Sequence, residues 1–144
     1  MIPINIKTMP GAKEPQYKSA GSAGADICAF IDHPVVLKPQ STALIPTGLY
    51  VEIPNGYEAQ IRPRSGLALD HGLGILNSPG TIDADYRGEI KIIIINFGKE
   101  EFIIENGMRI AQMVFAKIYR GKFIPADDLK ETIRNKGGFG HTGI

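Results

Sequence analysis

The fold is decided by residues 80–89, GTIDADYRGE, and by the apolar run that follows at residues 90–97, IKIIIINF. Consecutive isoleucines predict a strand that is buried on both faces. Gly80 and Gly88 can adopt backbone angles that other residues avoid, so the polar segment is predicted to form a hairpin that presents main-chain N–H and C=O groups. A buried strand would hold the acidic, tyrosine and arginine side chains of this hairpin rigidly, as a catalytic site requires. A solvated hairpin tip explains the segment equally well.

The length and composition indicate one soluble globular domain over residues 1–144. Hydrophobic residues make up 43% and charged residues 22% of the chain, and 16 basic against 15 acidic side chains leave a net charge of +1. This balance argues against a nucleic-acid polymer or a membrane as a partner. Any nucleotide is therefore expected to be a small molecule bound in a pocket.

The single cysteine, Cys28, excludes an internal disulfide and a cysteine-based zinc site. The first residues alternate like a strand and do not resemble an export signal, and no apolar run reaches the roughly 18 residues that a membrane span needs. These observations predict a cytoplasmic protein.

Short extended runs recur along the chain between turns rich in proline and glycine. The Asn55-Gly56 pair separates two such runs and is a strong hairpin signal. One short helix is predicted over residues 65–71, and it ends at Gly72. The pattern predicts an all-β protein, an antiparallel sandwich or barrel. The predicted strands are residues 2–7, 25–30, 35–37, 43–45, 49–53, 57–62, 88–97, 102–104 and 108–119.

Residues 133–144 form a glycine-rich end of the chain without a strand pattern. This composition predicts a flexible arm. A frayed tail would account for the glycines, but it would leave Phe139 uncovered. Stacking on a base would cover that ring, and Arg134 and Lys136 would add positive charge for a phosphate.

Three further polar positions are candidates for chemistry. Ser65 is predicted to cap the short helix beside Arg64, and a helix N-terminus with a flanking arginine binds phosphate, although an ordinary capped helix is the alternative. Asp26 opens an apolar strand, where it either caps a turn or reaches a metal-bound water. Strand alternation places Gln112 on one face with Ile110 and Val114, so this amide either joins a buried network or holds an attacking water.

Five segments of the chain, taken in order, resemble the five motifs of the trimeric dUTP pyrophosphatases, or dUTPases. Each segment is weakly specific alone, but five in the same order are highly specific, and together they span nearly the whole chain. His141 differs from the serine that many members of the family carry at that place. The segments are AGAD at residues 23–26, PRSGLA at 63–68, GTIDADYRGE at 80–89, RIAQ at 109–112, and Arg134 with the glycine-rich residues 137–143.

The resemblance implies a β-rich, jelly-roll-like subunit of a homotrimer that hydrolyses dUTP to dUMP and pyrophosphate with Mg²⁺. In this family the reaction keeps uracil out of DNA and supplies dUMP for thymidylate synthesis. Each active site would be assembled from three chains and closed by a C-terminal arm that reaches to a neighbour.

The resemblance also implies a role for each matched residue. Asp83 would be the general base for a water that attacks the α-phosphorus, Gln112 would help to place that water, and Asp26 would meet Mg²⁺ through the water shell of the metal. Tyr86 would pack on the deoxyribose. The other substrate-binding residues fall into three groups: those that would hold the phosphates (Arg64, Ser65 and Gly66), those that would bind the uracil (Asn77, Gly80, Thr81 and Ile82), and those of the arm that would close over the site (Arg134, Phe139, Gly140, His141 and Thr142).

Three other functions fit parts of the sequence. A dCTP deaminase shares this fold, but Asp83 followed by Tyr86, together with a complete arm, favours the pyrophosphatase. A nucleotide-binding module that has lost catalysis would not need every catalytic position filled, as they are here. A generic β-sandwich interaction domain would leave the Asp83 segment and Phe139 without a use.

Overall fold

The computed structural model describes residues 1–138. Strands make up 39% of the chain and helix 5%, and no helix in the described part is long and apolar enough to cross a membrane. In chain order the elements are β1 (Asn5–Thr8), β2 (Ala25–Cys28), β3 (Val35–Leu37), β4 (Thr42–Glu52), β5 (Tyr57–Arg62), α1 (Ser65–His71), β6 (Leu73–Ile75), β7 (Gly80–Ile82), β8 (Ile90–Asn96), β9 (Phe102–Ile104) and β10 (Arg109–Lys117).

Two four-stranded sheets and one two-stranded sheet make up the fold. The first sheet has the strand order β1-β4-β8-β6, the second has the order β2-β10-β5-β7, and β3 pairs with β9. Every pair is antiparallel. Apolar side chains from both larger sheets form a single core. The predicted all-β, jelly-roll-like antiparallel sandwich is therefore confirmed.

The isoleucine run lies at the centre of the first sheet, as β8 between β4 and β6. Ile90, Ile92 and Ile94 are core residues that are at most 1% exposed. Only Lys91 in this strand is exposed. Because burial of an isoleucine side chain stabilises a fold by roughly 1.5–3 kcal/mol, β8 is a firm support for the polar residues that precede it.

The polar segment before β8 does not form the predicted hairpin. β7 pairs with β5 in the second sheet, whereas β8 pairs with β4 and β6 in the first. Both edges of β8 are thus occupied, and no edge is left for β7. The segment instead carries the chain from one sheet to the other.

The Asn55-Gly56 turn is present, but it also connects the two sheets and does not close a hairpin. Gly56 has a φ of +87°, a left-handed conformation that favours glycine. The N–H of Tyr57 donates to the carbonyl of Pro54 at 3.2 Å. The strands on either side, β4 and β5, belong to different sheets. The turn signal is local, whereas the choice of strand partner depends on distant residues.

β4 is one strand of 11 residues and not the two short strands predicted at 43–45 and 49–53. The pairing of β4 with β8 is irregular between Pro46 and Leu49, because proline lacks an N–H for the ladder. Within this irregularity Gly48 has a φ of +66°, and a Cβ at Gly48 would lie 2.7 Å from the Cβ of Ala12. The strand therefore continues through the proline with a local distortion.

α1 covers residues 65–71 and ends at Gly72, as predicted. Gly72 takes the left-handed conformation there, and its N–H donates to the carbonyl of Ala68. The N-cap is Arg64 and not Ser65, and it makes no side-chain capping bond. After β10, residues 118–138 contain no helix or strand.

Candidate active site

Asp26 is the centre of a group of polar side chains on the second sheet. It lies on β2 opposite Gln112 of β10. Its Oδ1 accepts hydrogen bonds from Arg64 Nε and Gln112 Nε2, each at 3.2 Å, and its Oδ2 accepts one from Arg109 Nη1 at 2.8 Å. We call these four residues the Asp26 cluster. The cluster unites the predicted residues Asp26, Arg64 and Gln112.

The Asp26 carboxylate is held in its ionised form by its neighbours. Asp26 is 3% exposed, and this burial by itself would raise its pKa. Hydrogen bonds from Arg109 and Gln112, with the positive charges of Arg64 and Arg109, outweigh burial and hold the pKa below its ordinary value of 3.8. Two guanidinium groups around one carboxylate leave a net positive charge, which suits an anionic ligand such as a phosphate.

Sequence reasoning gave Arg109 no role, and strict strand alternation explains why. Residues three apart on a regular strand face opposite sides. The pairing of β10 with β2 is irregular between Arg109 and Ala111, so Arg109 and Gln112 both reach Asp26. Ile110 turns into the core at 3% exposure. The predicted shared face of Ile110 and Gln112 is therefore wrong, and only the RIAQ motif signalled Arg109.

Glycines lie beside the cluster where larger residues would interfere. A Cβ at Gly24 would approach the Cβ of Gln112 to 3.2 Å, so glycine lets the Gln112 side chain lie against β2. Ser65 and Gly66 begin α1 next to Arg64, and both are exposed. A Cβ at Gly66 would meet nothing within 4 Å, so nothing in the described chain requires glycine there.

A second group of predicted residues surrounds a pocket of about 460 Å³ at the crossing between β7 and β8. We call it the Asp83 pocket. The Asp83 carbonyl accepts a hydrogen bond from the N–H of Tyr86 at 3.1 Å, which closes a turn. Sequence reasoning missed Leu44, Glu89 and Lys91. The pocket is lined by Leu44, Thr81, Ile82, Asp83, Tyr86, Glu89, Ile90 and Lys91.

Gly80 and Gly88 are explained by close contacts and not by special backbone angles. Neither has a φ in the left-handed region. A Cβ at Gly80 would lie 3.1 Å from Nδ2 of Asn77, whose exposed side chain lies over it. A Cβ at Gly88 would overlap the hydroxyl of Tyr86. Glycine at these two positions therefore makes room for a predicted base-binding amide and a predicted sugar-binding ring.

Within one chain the Asp26 cluster and the Asp83 pocket lie far apart. Gln112 pairs with Arg62 at one end of β5, whereas β7, which precedes Asp83, ends opposite Ala59 near the other end. Three strand spacings also separate β2 from β7. At about 4.8 Å between strands and about 3.4 Å per residue along a strand, the two aspartates are on the order of 20 Å apart.

The C-terminal arm is described only in part. The Nε of Arg134 donates to the carbonyl of Gly137 at 2.8 Å, and Arg134 is exposed. Within residues 1–138 it makes no hydrogen bond or ion pair with either group of site residues. The other predicted arm residues lie outside the described residues; they are Phe139, Gly140, His141 and Thr142.

A metal would find few ligands in one chain. Residues 1–138 contain no group of three or more His, Cys, Asp or Glu side chains that could hold a metal ion. A carboxylate offers about four lone-pair sites, and that of Asp26 uses three of them on Arg64, Gln112 and Arg109. About one site of the carboxylate is therefore left for a further partner.

Comparison with known proteins gives one consistent result. The family model for dUTPase matches residues 11–143. Curated proteins named deoxyuridine 5′-triphosphate nucleotidohydrolase are similar over most of their length. The one from Treponema denticola is 56% identical over 141 residues, 98% of each chain. The one from Chlamydia pneumoniae is 58% identical over 134 residues, 92% of each chain.

Solved structures of dUTPases also match this chain. The dUTPase of Staphylococcus bacteriophage 80alpha with dUpNHpp superposes with a TM-score of 0.89 at 28% identity over 100% of both chains. A mutant dUTPase of Staphylococcus aureus phage phi11, whose structure reveals the coordination of a structural Mg(II) ion, has a TM-score of 0.79 at 25% identity over 88% of this chain and 98% of its own.

These matches confirm the resemblance drawn from the five motifs and the prediction of a dUTP diphosphatase enzyme. The family model matches residues 11–143, and relatives that are 56% and 58% identical match over 98% and 92% of each chain. This chain belongs to the dUTPase family.

Proposed function

We propose that this chain hydrolyses dUTP to dUMP and pyrophosphate in the cytoplasm, and that it thereby keeps uracil out of DNA and supplies dUMP for thymidylate synthesis. The observation that carries the proposal is the Asp83 pocket, in which an exposed carboxylate and Tyr86 line one open cavity. The names of the relatives and the dUpNHpp held by the phage 80alpha enzyme support the choice of substrate.

In the proposed reaction Asp83 is the general base. A water oxygen attacks the α-phosphorus, the bond from that phosphorus to the bridging oxygen breaks, and pyrophosphate leaves. Asp83 takes the proton of the water. Its carboxylate accepts no hydrogen bond from residues 1–138, so both oxygens are free to receive a water. The amide of Gln112 would help to orient the same water.

The phosphates would bind at the positive Asp26 cluster. Arg64 would donate to phosphate oxygens, and the first turn of α1 would add the N–H groups of Ser65 and Gly66, with open space above Gly66 for the ligand. Asp26 holds Arg64 and Arg109 in place through its own ion pairs. Arg134 and the arm residues Phe139, Gly140, His141 and Thr142 would cover the bound nucleotide.

Mg²⁺ is the proposed cofactor, and the residues present fit an indirect contact with it. Bound to the triphosphate, the ion would neutralise charge and favour departure of pyrophosphate. Asp26 would contribute its one unused lone-pair site to a metal-bound water, which agrees with the reluctance of Mg²⁺ to lose its water shell.

The base and sugar would bind along β7 and the turn that follows it. Asn77 and the main chain of Gly80, Thr81 and Ile82 would present a fixed set of donors and acceptors to uracil. Cytosine reverses the pattern at two positions of the ring, so it would leave buried polar groups unpaired. Tyr86 would lie against the deoxyribose, where a 2′-hydroxyl has no room.

The separation of the two groups, on the order of 20 Å, supports a homotrimer with sites shared between chains. If Gln112 and Asp83 act on one water, they come from different subunits. Residues 118–138 also leave large apolar side chains in solvent, among them Phe123 at 98% and Leu129 at 88% exposure. An apolar groove of about 820 Å³ near β1 remains open on the same chain. Residues 1–144 would thus be one domain, with the arm at 133–144 serving a neighbour.

The substrate is tested by incubation with Mg²⁺ and, separately, dUTP, dCTP, dTTP and UTP, with assays for pyrophosphate and ammonia. We expect pyrophosphate from dUTP and little product from the other three. Ammonia from dCTP would overturn the proposal in favour of a deaminase.

The sharing of sites is tested by mixing two inactive chains, Asp83→Asn and Arg64→Gln, after unfolding and joint reassembly. A mixed trimer of this kind has about one site in three that combines an intact Asp83 with an intact Asp26 cluster. Activity should therefore return on mixing. A chain truncated before Arg134 should be complemented by Asp83→Asn in the same way. No recovery, with mixed trimers confirmed by native mass spectrometry, would place the whole site in one chain.

A further inference from the structure

The ring of Tyr86 is held at two points, and neither is a packed core. The ring lies over Gly88, where a Cβ would overlap its hydroxyl. The hydroxyl donates to the main-chain carbonyl of Glu89 at 3.0 Å. With Tyr86 44% exposed, packing alone does not fix the ring. The position of the ring therefore depends on where the main chain of Glu89 lies.

The side chain of Glu89 in turn fixes its own main chain. Oε1 accepts a hydrogen bond from the N–H of Gly48 at 3.0 Å, and the Glu89 side chain is 17% exposed. Oε2 lies 3.5 Å from Nζ of Lys91. Gly48 is in the irregular part of β4, where regular pairing with β8 is interrupted. The carboxylate thus accepts a hydrogen bond from a strand N–H that has no partner in the interrupted pairing of β4 with β8.

Gly48 is itself closely packed. Its φ is +66°, and a Cβ there would lie 2.7 Å from the Cβ of Ala12 and 2.9 Å from Cδ1 of Phe30. Its neighbour Thr47 is 1% exposed and donates from Oγ1 to the carbonyl of Ile90 at 2.5 Å. Thr47 and Gly48 of β4 therefore bond to Ile90 and Glu89, where the polar residues 80–89 meet β8.

We infer that Glu89 is a positioning residue for Tyr86 and, through it, a determinant of the preference for deoxyribose over ribose. The inference rests on the proposed role of Tyr86 at the sugar. A ring that is tied to Glu89, and through Glu89 to β4, keeps its place when a 2′-hydroxyl presses against it. A ring that is free to tilt makes room for the hydroxyl, so UTP is admitted.

The first experiment compares Glu89→Ala with Glu89→Gln by the ratio of kcat/KM for dUTP to kcat/KM for UTP. The effect reaches the sugar through the neutral bond from the Tyr86 hydroxyl to the Glu89 carbonyl, and loss of one such bond is worth about three- to tenfold in such a ratio. Glu89→Ala should lower the ratio by that factor, mainly through better use of UTP. Glu89→Gln keeps an acceptor for the Gly48 N–H and should stay within about twofold.

Glu89→Gln is also the control for charge, because it removes the ion pair with Lys91 and keeps an acceptor for the N–H of Gly48. A parental ratio in Glu89→Ala would overturn the inference. So would a loss of selectivity in Glu89→Gln as large as that in Glu89→Ala, because the charge and not the bond to Gly48 would then be the cause.

The second experiment shows whether the effect passes through Tyr86. Tyr86→Phe removes only the hydroxyl at the surface, so it folds even if Glu89→Ala does not, and it should lower the ratio about as much as Glu89→Ala. The double variant should lose little more than either single one, since both break one chain of contacts. Additive losses, or a parental ratio in Tyr86→Phe, would overturn the inference.

Tyr86→Ala separates this inference from the proposed function beneath it. If Tyr86→Ala loses selectivity and the Glu89 variants do not, the role of Tyr86 stands and that of Glu89 falls. If Tyr86→Ala keeps full selectivity while dUTP is still hydrolysed, both roles fall and the hydrolytic function remains.

Discussion

The two aspartates of the candidate site are in opposite situations. Asp26 is buried and receives three hydrogen bonds, two of them from arginines. Asp83 is exposed at an open pocket and receives none from the described residues. Asp26 lies within β2 and Asp83 directly follows β7, and both strands belong to the second sheet. The difference lies in their partners, and it indicates that Asp26 organises other side chains whereas Asp83 is free to act on a ligand.

This contrast has a physical logic. A carboxylate bound to two guanidinium groups is a poor proton acceptor, because protonation would give up those bonds. A carboxylate with free oxygens can bind a water and take its proton. Substitution should therefore separate the two roles: Asp83 should matter for turnover and little for stability, and Asp26 should matter for stability as well.

Asp83→Asn should give the largest effect. The amide can hydrogen-bond to water but cannot accept its proton, so kcat should fall on the order of 10²- to 10⁴-fold. The free energy of unfolding should change by less than about 0.5 kcal/mol, as for an exposed side chain without contacts. Steady-state kinetics and urea unfolding measure the two quantities.

Asp85→Asn is the matched control, because Asp85 is an exposed carboxylate in the same turn. Its kcat should stay within about twofold of the parent, as for a surface substitution. A parental rate in Asp83→Asn, or an equal loss in Asp85→Asn, would show that the turn and not the Asp83 carboxylate is what catalysis needs.

Asp26→Asn should give the largest loss of stability. It leaves two arginines facing an amide, one end of which is itself a donor. Charge-assisted hydrogen bonds of this kind contribute about 1–3 kcal/mol, and the partial exposure of both arginines favours the lower half of that range. Urea unfolding of Asp26→Asn beside Asp83→Asn measures the difference. Equal stabilities of the two variants would remove the contrast between the aspartates.

The turns could be predicted from the sequence because the residues that favour them are adjacent in the chain. Gly72 and Gly56 both adopt the left-handed conformations that their positions predict. The pairing partners of the strands could not be predicted from the sequence, because they depend on which strand edges remain free after the rest of the chain has folded. The predicted hairpins at Gly56 and before Ile90 fail for this reason, since each connects two sheets.

The site was predictable where motifs name residue types and not where strand geometry is irregular. The Asp26 cluster brings Asp26, Arg64 and Gln112 together as expected. Arg109 joins them only because the pairing of β10 is irregular, and Glu89 reaches Gly48 only because the pairing of β4 is irregular. Alternation rules assume regular strands, so they cannot place these two residues.

The pH dependence of stability should also separate the aspartates. The folded pKa of Asp26 lies below its ordinary value of 3.8. Its stabilising contribution is therefore complete above pH 3.8 and is lost as the pH falls through the lower, folded pKa.

The difference in unfolding free energy between the parent and Asp26→Asn should shrink as the pH is lowered below 3.8. Urea unfolding at steps from about pH 7 downward measures it. Asp83→Asn supplies the control, with a difference from the parent that stays near zero. A constant difference for Asp26→Asn would show that the Asp26 ion pairs do not set its pKa.

The smallest effect is expected at the outer edge of the Asp26 cluster, in Arg109→Lys. Arg109 has the shortest contact with Asp26, at 2.8 Å, but its side chain is 45% exposed, against 23% for Arg64. Water therefore screens this pair. Lysine keeps the positive charge and loses the planar fork of donors, so the free energy of unfolding should fall by only about 0.5–1 kcal/mol.

Arg62→Lys is the control for a general effect of arginine on this sheet, because Arg62 is exposed and bonds only to Gln60 among the described side chains. It should change the free energy of unfolding by less than about 0.5 kcal/mol. Arg109→Lys should fall between Arg62→Lys and Asp26→Asn. If it costs as much stability as Asp26→Asn, then Arg109 alone accounts for the hold on Asp26, and Arg64 is free to bind phosphate without giving up a structural contact. If it costs no more than Arg62→Lys, the buried contacts of Arg64 and Gln112 fix Asp26, and the short distance to Arg109 contributes nothing measurable.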